Sequence, residues 1–145
     1  MYDDIKYIAI DPGETNGIAI YDDRYSLKLL QCIPYKELKP FLDQFTGIKI
    51  CLCEDYIVYE HKAQAHTGSR LTTARAIGRV ESWAEDNKVK LIKQAAQYYS
   101  LGFRFMEKRK PPRSDPLSHA KVAHAHFVYW AVKTGRINPK EFVKK

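Results

Sequence analysis

AIDPGETNGIAIYD, residues Ala9–Asp22, is the stretch that decides the fold. Tyr7 to Ile10 is a short apolar run that closes on Asp11, and Pro12, Gly13, Glu14, Thr15, Asn16 and Gly17 then supply turn chemistry. The apolar run GIAIY, Gly17 to Tyr21, returns from that turn, so the two runs read as strands of one hairpin. An acid at the end of a buried strand needs a reason. Its plain role is to cap the turn before Pro12; its chemical role is to hold a cation.

Outward from the hairpin, Tyr25 to Ile33 is the next strand candidate. Tyr35 to Phe45 places Leu38, Phe41, Leu42 and Phe45 at helical spacing. Ile48 to Tyr56, IKICLCEDY, reads as a central strand. Its alternation puts Ile50, Leu52, Glu54 and Tyr56 on one face and Cys51, Cys53 and Asp55 on the other. Leu71 to Asn87 reads as a helix with Ala76, Ile77, Val80, Trp83 and Ala84 on its apolar side, and Lys90 to Gln94 as a fifth strand. Ser114, Asp115 and Pro116 look like a helix start, with a capping side chain before a proline. That helix runs from Leu117 to about Lys133 and stops before Gly135. Three strands, helix, strand, helix, strand, helix is an α/β order: a five-stranded mixed sheet flanked by helices.

The chain has 145 residues and 45% apolar content, the size of one domain, residues 1–145, with one core. Its three cysteines show no pairing pattern, and no apolar stretch is long enough to span a membrane, so the expectation is a reduced, cytoplasmic protein. The net charge of +7 is concentrated: Lys108, Arg109, Lys110 and Arg113 fall within six residues, just after Arg104. Pro111 and Pro112 make that segment a loop. A clustered positive charge of this kind points to a polyanion partner rather than to a merely basic surface.

Asp11 and Glu54 each finish an apolar strand, and His119 lies in the first turns of the last helix. If the first and fourth strands are neighbours, the two carboxylates meet and repel unless a cation lies between them. Hard oxygen ligands favour Mg²⁺ or Mn²⁺. Two such ions stabilise both the attacking water and the leaving oxygen in phosphodiester hydrolysis.

Four segments in order resemble the RuvC-like Holliday junction resolvases, in particular their small phage-type members. AIDPGETNGIAIYD is similar to their first motif and ICLCEDYIVY to their second acidic strand. KAQAHTGSRLTTARAIGRVESWAEDNKVKLIKQ resembles the loop, helix and strand that follow, and SHAKVAHAHFVYW the last helix. The resemblance spans about Tyr7 to Trp130. It implies an RNase H-like fold, a divalent-metal nuclease with two Mg²⁺ or Mn²⁺ ions, branched or flapped DNA as substrate, a homodimer, and a viral or bacterial origin. Asp11, Glu54 and His119 match the family's catalytic positions, but the position three residues after His119, an acid in the family, is Val122. Asp115, one turn before His119, is the available substitute, although capping the helix is its other role. His126, seven residues after His119, lies on a similar helix face and suits a supporting role; His124 reads as a helix-face or core residue.

The loop His61 to Arg70 offers Lys62, His66 and Arg70 for phosphate contact, together with Arg104, Lys108, Arg109, Lys110 and Arg113. Tyr56 and Tyr59 stand beside Glu54, where an aromatic ring can stack on an unpaired base. Ala74, Gly78 and Ser82 recur every four residues, a small-residue stripe suited to a dimer interface or to close packing on the sheet. Two other enzyme classes begin with a similar hairpin. An actin-like ATPase needs two such domains; an RNA-processing nuclease of the same fold remains an alternative, although the loop and helix after Glu54 look more like the DNA-acting phage type. A non-cutting binder of branched DNA is the alternative that Val122 raises.

Overall fold

The computed structural model describes residues 2–55 and 69–142, with Ser69 and Arg70 described as backbone only. The hairpin reading holds: β1 (Ile5–Asp11) pairs antiparallel with β2 (Thr15–Asp22). Asn16, fully buried, closes the turn between them by accepting from the Gly13 amide (3.1 Å), while its own amide donates to the Ile33 carbonyl (3.4 Å). β3 (Leu27–Pro34) adds antiparallel to β2 and starts two residues later than expected. Asp22 accepts from the Arg24 and Ser26 amides at 2.9 Å each, and Tyr25 takes φ 65°, so these residues form a turn instead.

β4 (Ile50–Asp55) pairs parallel with β1, and β5 (Lys90–Ala95) parallel with β4, giving the order β3-β2-β1-β4-β5. A 3₁₀ turn at Tyr35–Glu37 leads into the short helix α1 (Leu38–Leu42), and α2 is Ser69–Asp86. Both helices cover the face that carries Ile8, Ile10, Ile18, Ile20, Cys51 and Cys53, using Leu38, Phe41, Leu42, Ala76, Ile77, Val80, Trp83 and Ala84. Every apolar residue expected on α2 is buried. Burial of each such large side chain contributes about 1.5–3 kcal/mol relative to leaving it exposed.

The opposite face presents Tyr7, Ala9, Ala19, Tyr21 and Leu52 to α4 (Ser118–Lys133), which packs Ala123, Phe127, Trp130 and Ala131 against them. Tyr21 is fully buried and its hydroxyl shares a hydrogen bond with His124 Nδ1 at 2.7 Å. Burial holds His124 down at about 4, so the ring is neutral. A further helix, α3 (Tyr98–Phe105), lies on the outer side of α4 and was not expected from the sequence. Phe103 and Met106 from its C-terminal end pack with Val122, Ala125 and Val128. Gly102 permits this, because a Cβ there would lie 1.8 Å from the Ala125 carbonyl oxygen. None of the three cysteines is in a disulfide, and among the described residues no helix is long and apolar enough to cross a membrane.

Candidate active site

Asp11 and Glu54 meet because their strands are neighbours in register. Ile10 pairs with Cys53 across the parallel β1–β4 ladder, so the next residue on each strand stands at the same level. Neighbouring strands lie about 4.8 Å apart. Alternation sends Tyr7, Ala9 and Asp11 to the α4 face, as it does Ile50, Leu52 and Glu54. Asp11 is 8% exposed, and its carboxyl group is pushed up from the ordinary range. Burial is the largest cause, and the negative charge of Glu54 adds to it while His119 opposes it.

His119 arrives from α4, and a glycine lets it do so. Asp11 pairs with Gly17 across the hairpin, and the first turn of α4 rests directly on Gly17. A Cβ at that position would lie 2.0 Å from the backbone carbonyl of His119 and 2.4 Å from the Ala120 nitrogen. With no side chain there, the helix settles close enough for His119 Nδ1 to reach Asp11 Oδ2 at 2.9 Å. The same contact raises the His119 imidazole above its usual range, with burial opposing. Its side chain stays 55% exposed.

Glu54 is held by a second histidine. His126 Nε2 lies 2.8 Å from Glu54 Oε1, and Gln94 Nε2 lies 2.7 Å from His126 Nδ1. Gln94 is the register partner of Glu54 on β5, so three consecutive strand ends, β1, β4 and β5, each carry a polar side chain at this edge. His126 contacts Glu54, and His124, read as a helix-face or core residue, is partly buried beside Tyr21.

Asp11, Glu54, His119 and Asp115 line one cleft of about 620 Å³, together with Thr15, Tyr99, Lys110, Arg113 and Val122. Asp115 is committed elsewhere: Oδ1 accepts from the Leu117 amide (2.9 Å) and Oδ2 pairs with Lys121 (2.6 Å). Those contacts hold its carboxyl below the usual range, the Lys121 contact foremost. It thus secures the turn before α4, which begins at Ser118 rather than Leu117. Val122 is 5% exposed and belongs to the apolar cluster of α3 and α4.

Lys110 and Arg113 reach the cleft, while Lys108 and Arg109 line an adjacent cavity of about 400 Å³ with Leu27, Leu30 and Phe103. Lys110 donates to the Tyr99 hydroxyl at 3.0 Å. Arg104 is exposed on α3 and lines neither cavity. Lys62, His61, His66, Tyr56 and Tyr59 lie outside the described residues, and Arg70 is described only as backbone at the start of α2. Ala74 and Ser82 are exposed, and a Cβ at Gly78 would meet nothing within 4 Å, so the small-residue stripe faces away from the sheet.

Among the described residues, no three His, Cys, Asp or Glu side chains are gathered into a ready-made metal cage. The donor set nonetheless suits a hard divalent ion: two carboxylates at one sheet edge, with Asp11 destabilised as an anion by burial and by Glu54. A cation between them would relieve both costs.

No family model matches the sequence, and no curated protein matches it. Solved structures do. RuvC of T. thermophilus in complex with a Holliday junction substrate superposes with a TM-score of 0.60 over 90% of this chain and 96% of that one, at 13% identity. The fold is RNase H-like. A second Thermus thermophilus RuvC structure agrees with a TM-score of 0.54 at 12% identity, with the same coverage of 90% and 96%.

Proposed function

We propose that this chain is a divalent-metal-dependent endonuclease that hydrolyses phosphodiesters in branched DNA, as a single RNase H-like domain of the small phage type. The observation that carries this is the pairing of Asp11 and Glu54 at adjacent strand ends, with His119 beside them and Lys110 and Arg113 across the same cleft. Carboxylates facing cations across a cleft suit a phosphate brought to an ion. The RuvC neighbour solved with a Holliday junction supports branched DNA as the ligand.

In this reading Asp11 and Glu54 hold the cation, one Mg²⁺ or Mn²⁺ or a pair, with His119 as the third donor. The bound metal supplies water activation and neutralises charge developing on the scissile phosphate. Lys110 and Arg113 hold the flanking phosphates, and Lys108 and Arg109 in the adjacent cavity extend the track, with Arg104 outside both. The outward-facing stripe of Ala74, Gly78 and Ser82 supports a homodimer through α2, which the mass of the wild-type protein in solution tests.

Cleavage of Holliday junction, flap, splayed and duplex DNA with Mg²⁺ and with Mn²⁺ tests the reading. Branched substrates should be cut in preference to duplex. Asp11→Asn should keep fold and junction binding while cleavage falls by orders of magnitude, because a neutral amide binds a hard cation poorly. Full cleavage by that variant removes Asp11 from the mechanism.

A second reading rests on Val122, which places an apolar side chain in the cleft wall one helical turn from His126. On that reading the chain holds junctions and cuts them poorly. Tight junction binding with no metal-dependent nicking by the wild type would decide for it.

A further inference from the structure

Behind the cleft, two buried side chains, Gln94 and His126, form a chain of hydrogen bonds that ends on Glu54 in the cleft wall. His126 is 1% exposed and Gln94 8% exposed. Gln94 Nε2 lies 2.7 Å from His126 Nδ1 and 3.1 Å from the backbone carbonyl oxygen of His126. That carbonyl can only accept, so the amide nitrogen of Gln94, not its oxygen, must face it. One of its two hydrogens goes to the carbonyl and the other to Nδ1. Nδ1 therefore presents a lone pair, and the imidazole hydrogen sits on Nε2, where Glu54 Oε1 accepts it at 2.8 Å. A single backbone carbonyl thus sets the direction of all three contacts.

We propose that Gln94 and His126 are positioning residues that lock Glu54 through one oxygen and leave the other for a cation in the cleft. The proposal rests on the reading of Glu54 as a cation ligand. Direct ligation by His126 Nε2 conflicts with the observed contacts. It would move the ring hydrogen to Nδ1, setting two N–H groups face to face unless Gln94 turned over and gave up the carbonyl. The arrangement also bears on Val122. At that level α4 offers no acid, and one turn further along it offers Glu54 a hydrogen-bond donor. A carboxylate pinned in one rotamer loses little freedom when it binds a metal, and removing such outer partners usually weakens metal affinity by about 10–100-fold.

The test is Mn²⁺ affinity by titration calorimetry on the full chain, with thermal unfolding alongside. Gln94→Leu and His126→Phe should weaken Mn²⁺ binding by about 10–100-fold while the protein remains folded at the assay temperature. A merely structural role would lower the melting temperature and leave the affinity of the folded protein unchanged; that result overturns the proposal. Proton-detected ¹⁵N spectra of the wild-type imidazoles provide a readout that needs no variant. His126 should carry its hydrogen on Nε2 with Nδ1 bare, and a hydrogen on Nδ1 overturns the proposal. Glu54→Gln separates the two layers of inference. If it leaves Mn²⁺ affinity unchanged, Glu54 is no ligand and both readings fall. If it abolishes binding while Gln94→Leu has no effect, only the positioning role falls.

Discussion

Gly17→Ala adds one methyl group at the point where the sheet and α4 touch. The new Cβ would lie 2.0 Å from both the carbon and the oxygen of the His119 carbonyl, where ordinary contact begins at about 3.4 Å. Both sides of the clash are backbone, so no rotamer change relieves it. The first turn of α4 must lift by on the order of 1 Å, the scale of misplacement that can cost about 100-fold in rate. His119 then moves out of hydrogen-bond reach of Asp11, from which it stands 2.9 Å away in the wild type. Overpacking of this kind typically costs about 1–3 kcal/mol, and a backbone-on-backbone clash belongs at the upper end. Urea unfolding reads the stability loss, and single-turnover cleavage of a four-way junction at saturating Mn²⁺ reads the displaced histidine. Gly78→Ala is the internal control for stability: its Cβ meets nothing within 4 Å in this chain, so it should gain up to about 1 kcal/mol of helix propensity. Wild-type stability and cleavage in Gly17→Ala would mean that α4 does not rest on the sheet at this point.

Three further outcomes are expected. In chelated, metal-free protein the raised His119 pKa contributes stability that is fully present below its unfolded value of about 6.5 and lost as pH rises through the folded value. The melting temperature should therefore fall modestly on the alkaline side, the effect being small at 55% side-chain exposure, and Asp11→Asn should flatten that slope. Replacing Lys108, Arg109 and Lys110 with Ala should lower the log–log salt slope of duplex binding by about 0.9 for each phosphate left without its cation; an unchanged slope makes the loop a solvated one. Val122→Asp puts a carboxylate into an apolar cluster that also borders the cleft, so it should lower the metal-free melting temperature and recover more of it on Mn²⁺ addition than the wild type does. No metal-dependent recovery would make Val122 a core residue alone.

The sheet was legible because its signals are local. The alternation of Ile50, Leu52 and Glu54 against Cys51 and Cys53 is the two faces of β4 as the fold displays them. α3 was not, and Gly102 explains why. A glycine among aromatic residues argues against a helix, yet its missing side chain is what brings α3 against Ala125. The two acids could be read as strand ends, but their partners could not. His119 and Asp11 are 108 residues apart and His126 and Glu54 are 72 apart, distances across which no periodicity operates. Gln94 did carry a signal. It follows Ile92 on the buried face of β5 and is a polar residue at a strand end, like Asp11 and Glu54. The cap expected of Asp115 is not formed: α4 starts three residues further on, with Leu117 before it and no side-chain cap, and the hydrogen bonds of Asp115 close the preceding turn instead.

The pairing of near and distant partners predicts an order of assembly. The β1–β2 hairpin closes over a three-residue connection and can form within microseconds, long before the rest of the chain is placed. Asp11 is therefore in position early but alone. Glu54 joins it only when the parallel β1–β4 ladder zips, and both histidines only when α4 docks on the finished sheet. Contacts of such long sequence separation carry the loop-closure cost that slows folding. The two histidines that touch the carboxylates among the described residues both come from α4, so recovery of cleavage during refolding should trail recovery of strand signal and report the seating of that helix.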